Sequence, residues 1–94
     1  MVKYYFENLK DTVESMLSDD YIDRLVAEYF QLKIRYNKLC KFCERYRDGK
    51  LDFTPDCTLE LLLDQKLIMS RYMSILERRF VAEEISIDCC SEDN

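Results

Sequence analysis

Between Asp20 and Asp48 the apolar positions fall at Ile22, Leu25, Tyr29, Leu32, Tyr36, Leu39, Cys43 and Tyr46, in alternating steps of three and four. That rhythm places these side chains on one stripe of a helix, the pattern of a rod packed lengthwise against another rod. At 1.5 Å per residue, a helix of about 28 residues is roughly 40 Å long. A rod of that length cannot bury its stripe by itself, so the sequence demands a second rod beside it.

The flanking segments supply candidates. Val2, Phe6, Leu9, Val13 and Met16 recur at spacings of four and three, which predicts a shorter helix over about residues 2–17. Ser18, Asp19 and Asp20 break that pattern and offer oxygens to cap the long helix, expected over about 20–47, with Asp23 placing negative charge in its first turn. Arg45 and Arg47 favour its C-terminal end, and Gly49 supplies the stop. Residues 50–57 read as an irregular connector in which Leu51 and Phe53 fold back as a plug; Thr54, Asp56 or Thr58 caps the next helix, and Pro55 suits its first turn. That helix is expected over about 58–84. Leu62, Met69, Tyr72, Met73, Leu76 and Phe80 define its main side, flanked by Leu61, Ile68 and Ile75. From Ile85 to Asn94 the sequence is acidic and aperiodic, which predicts a flexible tail following a single helical domain over 1–84.

The fold expected is therefore all-α: an antiparallel hairpin of two long helices with a shorter N-terminal helix. Its apolar surface exceeds one seam. Val26, Phe30 and Ile34 form a second stripe on the long helix, and Leu63 and Leu67 stand outside the main face of the last one. The surplus predicts a symmetric homo-oligomer with these five residues at its interface.

Composition narrows the function classes. The chain has 94 residues with one Gly and one Pro, which fits long helices better than a many-turned β fold. A net charge of −5 argues against a general DNA or RNA binder. Lys33–Lys50 nonetheless carries seven basic and two acidic residues, a local +5 against −10 elsewhere. That strip is either a solvated helix face or an anion-binding surface. No run approaches a membrane span and the N-terminus lacks a signal peptide's apolar core, so a cytoplasmic setting is expected. Five cysteines, an odd number, do not suit a closed disulfide framework.

Candidate chemistry is sparse. Cys40 and Cys43 form a Cys-x-x-Cys, but near a helix C-terminus, where the dipole opposes a thiolate. Cys57, Cys89 and Cys90 could join them on zinc, although no His is present; buried structural thiols are the simpler reading. Without His, a nucleophile motif or a Gly-rich phosphate loop, neither catalysis nor a cofactor or metal is expected. Seven tyrosines remain to be accounted for. Tyr29, Tyr36 and Tyr46 lie on the seam and Tyr72 on the helix that faces it; their hydroxyls either reach the edge of the packed face or wall a pocket. In the second case the rings stack on a base while Arg35, Lys38 and Arg45 hold its phosphate.

Three segments carry a resemblance: SMLSDDYIDRLVAEYFQLKIRYNKL, GKLDFTPDC and MSRYMSILERR. In that order they resemble a family of small uncharacterised phage and prophage helical proteins related to a crAss-like phage protein, over about residues 14–84. The resemblance implies a phage origin, a helical hairpin and a host-cell cytosolic setting. It supplies no catalytic residues. Where many relatives continue into a Gly-containing end, this chain has Ala82, Glu83 and Glu84. In that context the function expected is non-enzymatic. The chain would act against host defence by sequestering a small anionic nucleotide-derived signal, of cyclic-nucleotide or ADP-ribose type, in pockets between helices and subunits. The alternative is a helical interaction module that inhibits a host protein or assembles with a phage protein, presenting Phe30 and Ile34. An enzyme acting on such nucleotides comes third.

Overall fold

A computed structural model describes residues 3–87, with the side chains of Lys3 and Tyr4 left aside. Two long helices dominate, α2 (Tyr21–Arg47) and α3 (Leu59–Ala82). They pack against each other as an antiparallel hairpin within a body of 45 × 24 × 24 Å. Ahead of them come a two-residue strand β1 (Lys3–Tyr4), a 3-10 turn (Leu9–Thr12) and a single helical turn α1 (Val13–Met16). After them, β2 (Ser86–Ile87) pairs in parallel with β1, Lys3 opposite Ser86 and Tyr4 opposite Ile87.

Local chemistry sets the helix ends. Asp20 caps α2 by accepting the Ile22 N–H at 2.9 Å, and Thr58 caps α3 by accepting the Leu61 N–H at 3.1 Å. At the far end of α2 the Lys50 N–H reaches the Arg45 carbonyl at 2.8 Å and the Gly49 N–H reaches Tyr46 at 3.1 Å, with Gly49 at φ 70°. This paired closure satisfies carbonyls that the last turn leaves open. The same closure ends α3, with Ile85 bonded to Phe80 at 2.9 Å and Glu84 to Val81 at 3.1 Å, but here Glu84 holds the left-handed position at φ 58°. A side chain in that conformation meets its own backbone, which glycine avoids.

The N-terminal segment departs from the helix expected over 2–17. Tyr4, Tyr5 and Phe6 are adjacent aromatic residues that favour extended backbone, and the chain there runs straight before Asn8 opens the 3-10 turn. Tyr5 and Phe6 set their rings edge-on against Phe30, at 5.7 and 5.6 Å between centroids. Phe30 and Val26 are consequently buried within one copy. The stripe expected at an oligomer interface is covered by the chain's own first residues. Thr12 is buried as well, and its hydroxyl is satisfied twice: it donates to the Leu9 carbonyl at 2.7 Å and accepts from Gln31 at 2.9 Å.

The buried core runs from Leu25, Val26, Tyr29, Phe30 and Leu32 on α2 to Met69, Leu76 and Phe80 on α3. Ile85 and Ile87 pack against it, so the start of the expected tail is part of the body; residues 88–94, with Cys89 and Cys90, lie outside the described ones. The core is thick only where the N-terminal segment joins the hairpin. Toward the connector the two helices lie alone, and Leu61, Leu63, Leu67 and Ile68 remain exposed.

Two substitutions test this account by urea unfolding. Leu76→Ala should cost about 2–5 kcal/mol, because the site is closed on all sides; a loss much below ~1 kcal/mol would remove Leu76 from the core. Glu84→Gly should stabilise the chain by roughly 0.5–1 kcal/mol, since relief of left-handed strain exceeds the added chain entropy. Destabilisation by that substitution would contradict the closure described for α3.

Candidate functional site

The five tyrosines of the two long helices fall into two groups. Three of them bridge the helices by donating to glutamates: Tyr21 to Glu83, Tyr72 to Glu28, and Tyr29 to Glu77 at 2.7 Å. In each bridge the phenol stands on one long helix and the carboxylate stands on, or directly after, the other. Tyr29 is 0% exposed, with its ring edge-on to Phe30 at 5.3 Å and to Phe80 at 5.1 Å. A pocket wall at Tyr29 is therefore excluded, because its ring is enclosed by core and its hydroxyl is taken. The Tyr72 hydroxyl is likewise taken, by Glu28, while its ring stays 42% exposed. Arg79 donates to the Tyr21 hydroxyl at 3.2 Å, which fixes the open end of the hairpin.

The other group lies toward the connector. Tyr36 lines a surface groove of about 270 Å³ with Leu63, Lys66, Leu67 and Ser70. Leu63 and Leu67, expected at an oligomer interface, thus line this groove, while Ile34 is half-buried beside Phe6 and Lys33. Arg35 and Lys38 stand exposed on α2 and do not converge with Tyr29 or Tyr72.

At the hairpin tip, Tyr46 meets Phe42 and the connector. The Phe42 ring lies 6.4 Å from Tyr46, nearly perpendicular, and 6.1 Å from Phe53 at a 33° tilt. Phe53 was expected to plug the helices; it stands on Phe42 yet stays 57% exposed. Tyr46, Gly49, Leu51, Phe53, Thr54 and Pro55 line a pocket of about 250 Å³. The connector is held in place from below: the Tyr46 hydroxyl donates to the Cys57 carbonyl at 3.1 Å and Arg45 donates to the Lys50 carbonyl at 3.0 Å. Lys41, Arg45 and Lys50, near these aromatic residues in sequence, are exposed, while Arg47 is paired with Asp48 at 3.2 Å. Asp52 and Asp56 on the connector temper the local positive charge. Phe42 and Phe53 were overlooked as site residues because they lie off the seam and on an irregular segment. The usable signal is two aromatic residues inside the basic stretch, at 42 and 46, with a third just beyond it at 53.

This tip can bind and orient; its side chains offer ring faces and cations. Cys43 is buried, and burial pushes its thiol above the ordinary range, with Lys66 opposing. Cys40, Cys43 and Cys57 are free thiols. Among the described residues no group of Cys, Asp or Glu could hold a metal ion, and no helix is long and apolar enough to cross a membrane.

The chain belongs to the Sequestin family, whose model, described as Sequestin, matches residues 19–82. The match begins at the α2 cap and ends with α3, so it takes in the whole hairpin and the tip. No curated protein and no solved structure matches the chain.

The bridges carry a pH signature. The Tyr72 phenol lies above its ordinary value of 10.0, first because it donates to Glu28 and then because of burial. Tyr36 is also raised, by burial first and by Cys40 next, with the Ser70 hydrogen bond opposing. A group whose folded value is raised contributes stability that is fully present below its unfolded value and lost as pH climbs through the folded one. Thermal stability should therefore fall as pH rises above about 10, and Tyr72→Phe, less stable at neutral pH, should lose less over that range. Identical alkaline losses in the two proteins would show that the bridge does not titrate as described.

Proposed function

We propose that this member of the Sequestin family is a non-enzymatic phage protein that sequesters a small anionic nucleotide-derived signal and so blunts a host defence. The family match carries the reading, since the family's name denotes withholding by binding. The three-segment resemblance supports a phage origin and a host-cytosolic setting. Base-sized rings at the tip support a nucleotide as the captive. Phe53 offers an open face and Phe42 and Tyr46 stand beside it, and in this reading the exposed Arg45, Lys41 and Lys50 supply the charge that meets phosphate.

Stacking leads in this arrangement and charge assists. The tip's carboxylates offset part of its positive charge, so binding would be less salt-sensitive than a phosphate-led site requires. Sequestration also needs no chemistry from the protein: the signal is removed from circulation by mass action and can be returned unchanged. The Tyr36 groove, with Lys66 and Ser70, is a second cradle on the same hairpin and an internal comparison for the tip.

The test is a thermal-shift panel of cyclic dinucleotides and cyclic ADP-ribose types, followed by recovery of the nucleotide after denaturation. A positive shift with intact recovered ligand is the expected result. Loss of one stacked base costs about 1–3 kcal/mol, so Phe53→Ala should weaken binding by roughly five-fold or more. Arg45→Ala should weaken it too, and Lys66→Ala should not. Binding lost only with Lys66→Ala would move the site to the Tyr36 groove. A converted nucleotide, or no shift across the panel, would defeat sequestration itself.

A further inference from the structure

Helix α3 carries a second apolar stripe that the hairpin does not use. Leu61, Ile68 and Ile75 recur at seven-residue intervals and are 59%, 64% and 49% exposed. Their inward neighbours Met69, Leu76 and Phe80 are buried against α2, so α3 is apolar on two separate sides. From Leu61 to Ile75 the outer stripe runs 14 residue steps, roughly 21 Å of helix. Exposed apolar surface of this extent, arranged at heptad spacing, is a surface for another helix. Leu63 and Leu67 on the opposite flank span only one turn.

The charges beside the stripe specify which helix. Asp64 and Arg71 each follow a stripe residue by three positions, so both lie along the same border; Arg78 continues that border and Glu60 starts it, five full turns before Arg78. Acidic residues occupy the border before Ile68 and basic residues after it. None of these four makes an ion pair or hydrogen bond among the described residues. Glu60 and Asp64 are moreover an i, i+4 pair of like charge, which an isolated helix disfavours. The helix dipole would favour acid at the very start and base at the very end, but that effect is confined to the terminal turns. Asp64 and Arg71 lie beyond those turns, in the helix interior.

We infer that α3 is the docking surface for α3 of a second copy of this chain, antiparallel, with the twofold axis at Ile68. In that register each residue faces the one equally distant on the other side of the axis. Ile68 meets its own counterpart and Leu61 meets Ile75. An axis of this kind brings the same border of the two helices together. Asp64, four positions before the axis, then lies within one residue of Arg71 of the second copy, three positions after it. Glu60 falls within two residues of Arg78 of the second copy. Each border contact occurs twice by symmetry. A parallel twofold would instead send the two borders to opposite sides of the seam, leaving Asp64 and Arg71 of each copy without a partner. A single helix-on-helix contact lies at the small end of specific interfaces, so the dimer is reversible, with dissociation on the order of micromolar. This inference is independent of what the tip binds.

Sedimentation of the full chain from low micromolar to several hundred micromolar tests it. The weight-average mass should rise from 11.4 kDa toward twice that value. Ile68→Glu should hold the mass at 11.4 kDa with helical content unchanged, because Ile68 contributes little to the monomer core. Asp64→Arg should weaken association by about ten-fold or more, since like charges then oppose each other. Adding Arg71→Asp to that variant should restore it. A wild-type chain that stays monomeric overturns the inference, as does an oligomer indifferent to Ile68→Glu. Failure of the double charge reversal to recover association overturns the antiparallel register.

Discussion

The structure depends on one knot of rings. Tyr29 stands edge-on to Phe30 on its own helix and to Phe80 on the other, and Phe30 in turn receives Tyr5 and Phe6 from the N-terminal segment. Three parts of the chain meet there and, among the described residues, nowhere else in such depth. A hairpin of two helices buries one stripe on each rod and leaves the rest wet. The knot adds a third layer, and with it a core dense enough to hold a chain of this size. Everything outside its reach remains two helices thick.

Tyrosine is what makes that arrangement specific. A seam of Leu and Ile could slide by a turn at modest cost, because apolar contact has no direction. A phenol that must find a carboxylate cannot. Tyr21 to Glu83 ties α2 to the end of α3, and Glu28 to Tyr72 and Tyr29 to Glu77 tie the two helices again about two turns further along α2. A one-turn slip would unmake them together and leave the Tyr29 hydroxyl buried without its partner. The bridges therefore fix register, while the rings supply most of the burial.

Much of this was legible in the residues, for identifiable reasons. The three-four rhythm from Ile22 to Tyr46 survives into the structure because a long helix has little freedom to do anything else with it. Gly49 announced the end of α2, since its left-handed backbone is what glycine is used for. The end of α3 was less visible because Glu84 takes the same conformation with a side chain that gives no warning. The N-terminal segment was misread for a related reason. Val2, Phe6, Leu9, Val13 and Met16 keep helical spacing, but pairing of Lys3–Tyr4 with Ser86–Ile87 is a contact across almost the whole chain, which no local period reveals. The site suffered most. Tyr29, Arg35, Tyr36, Lys38, Arg45, Tyr46 and Tyr72 share residue types suited to a nucleotide, yet they divide among core, solvent, groove and tip. Convergence is a property of three dimensions, and the exposed Phe53 that completes the tip sits on a segment with no periodicity at all.

The uneven thickness of the molecule bears on what it is built to do. Where the third layer sits, side chains are committed to one another: Val26 and Phe30 are covered, and Tyr29 and Tyr72 are bonded. Where it is missing, α3 exposes apolar residues on two flanks and the connector lifts Phe53 into solvent. Surfaces of this kind carry a standing cost in water, and a chain under selection for stability alone would replace them with charge. Leu61, Leu63, Leu67, Ile68 and Phe53 lie in the connector half, away from the knot, so the part that holds the fold is distinct from a part free to engage other molecules. A binding protein benefits from that division, since ligand and partner contacts can then form or dissociate without loosening the knot at Tyr29.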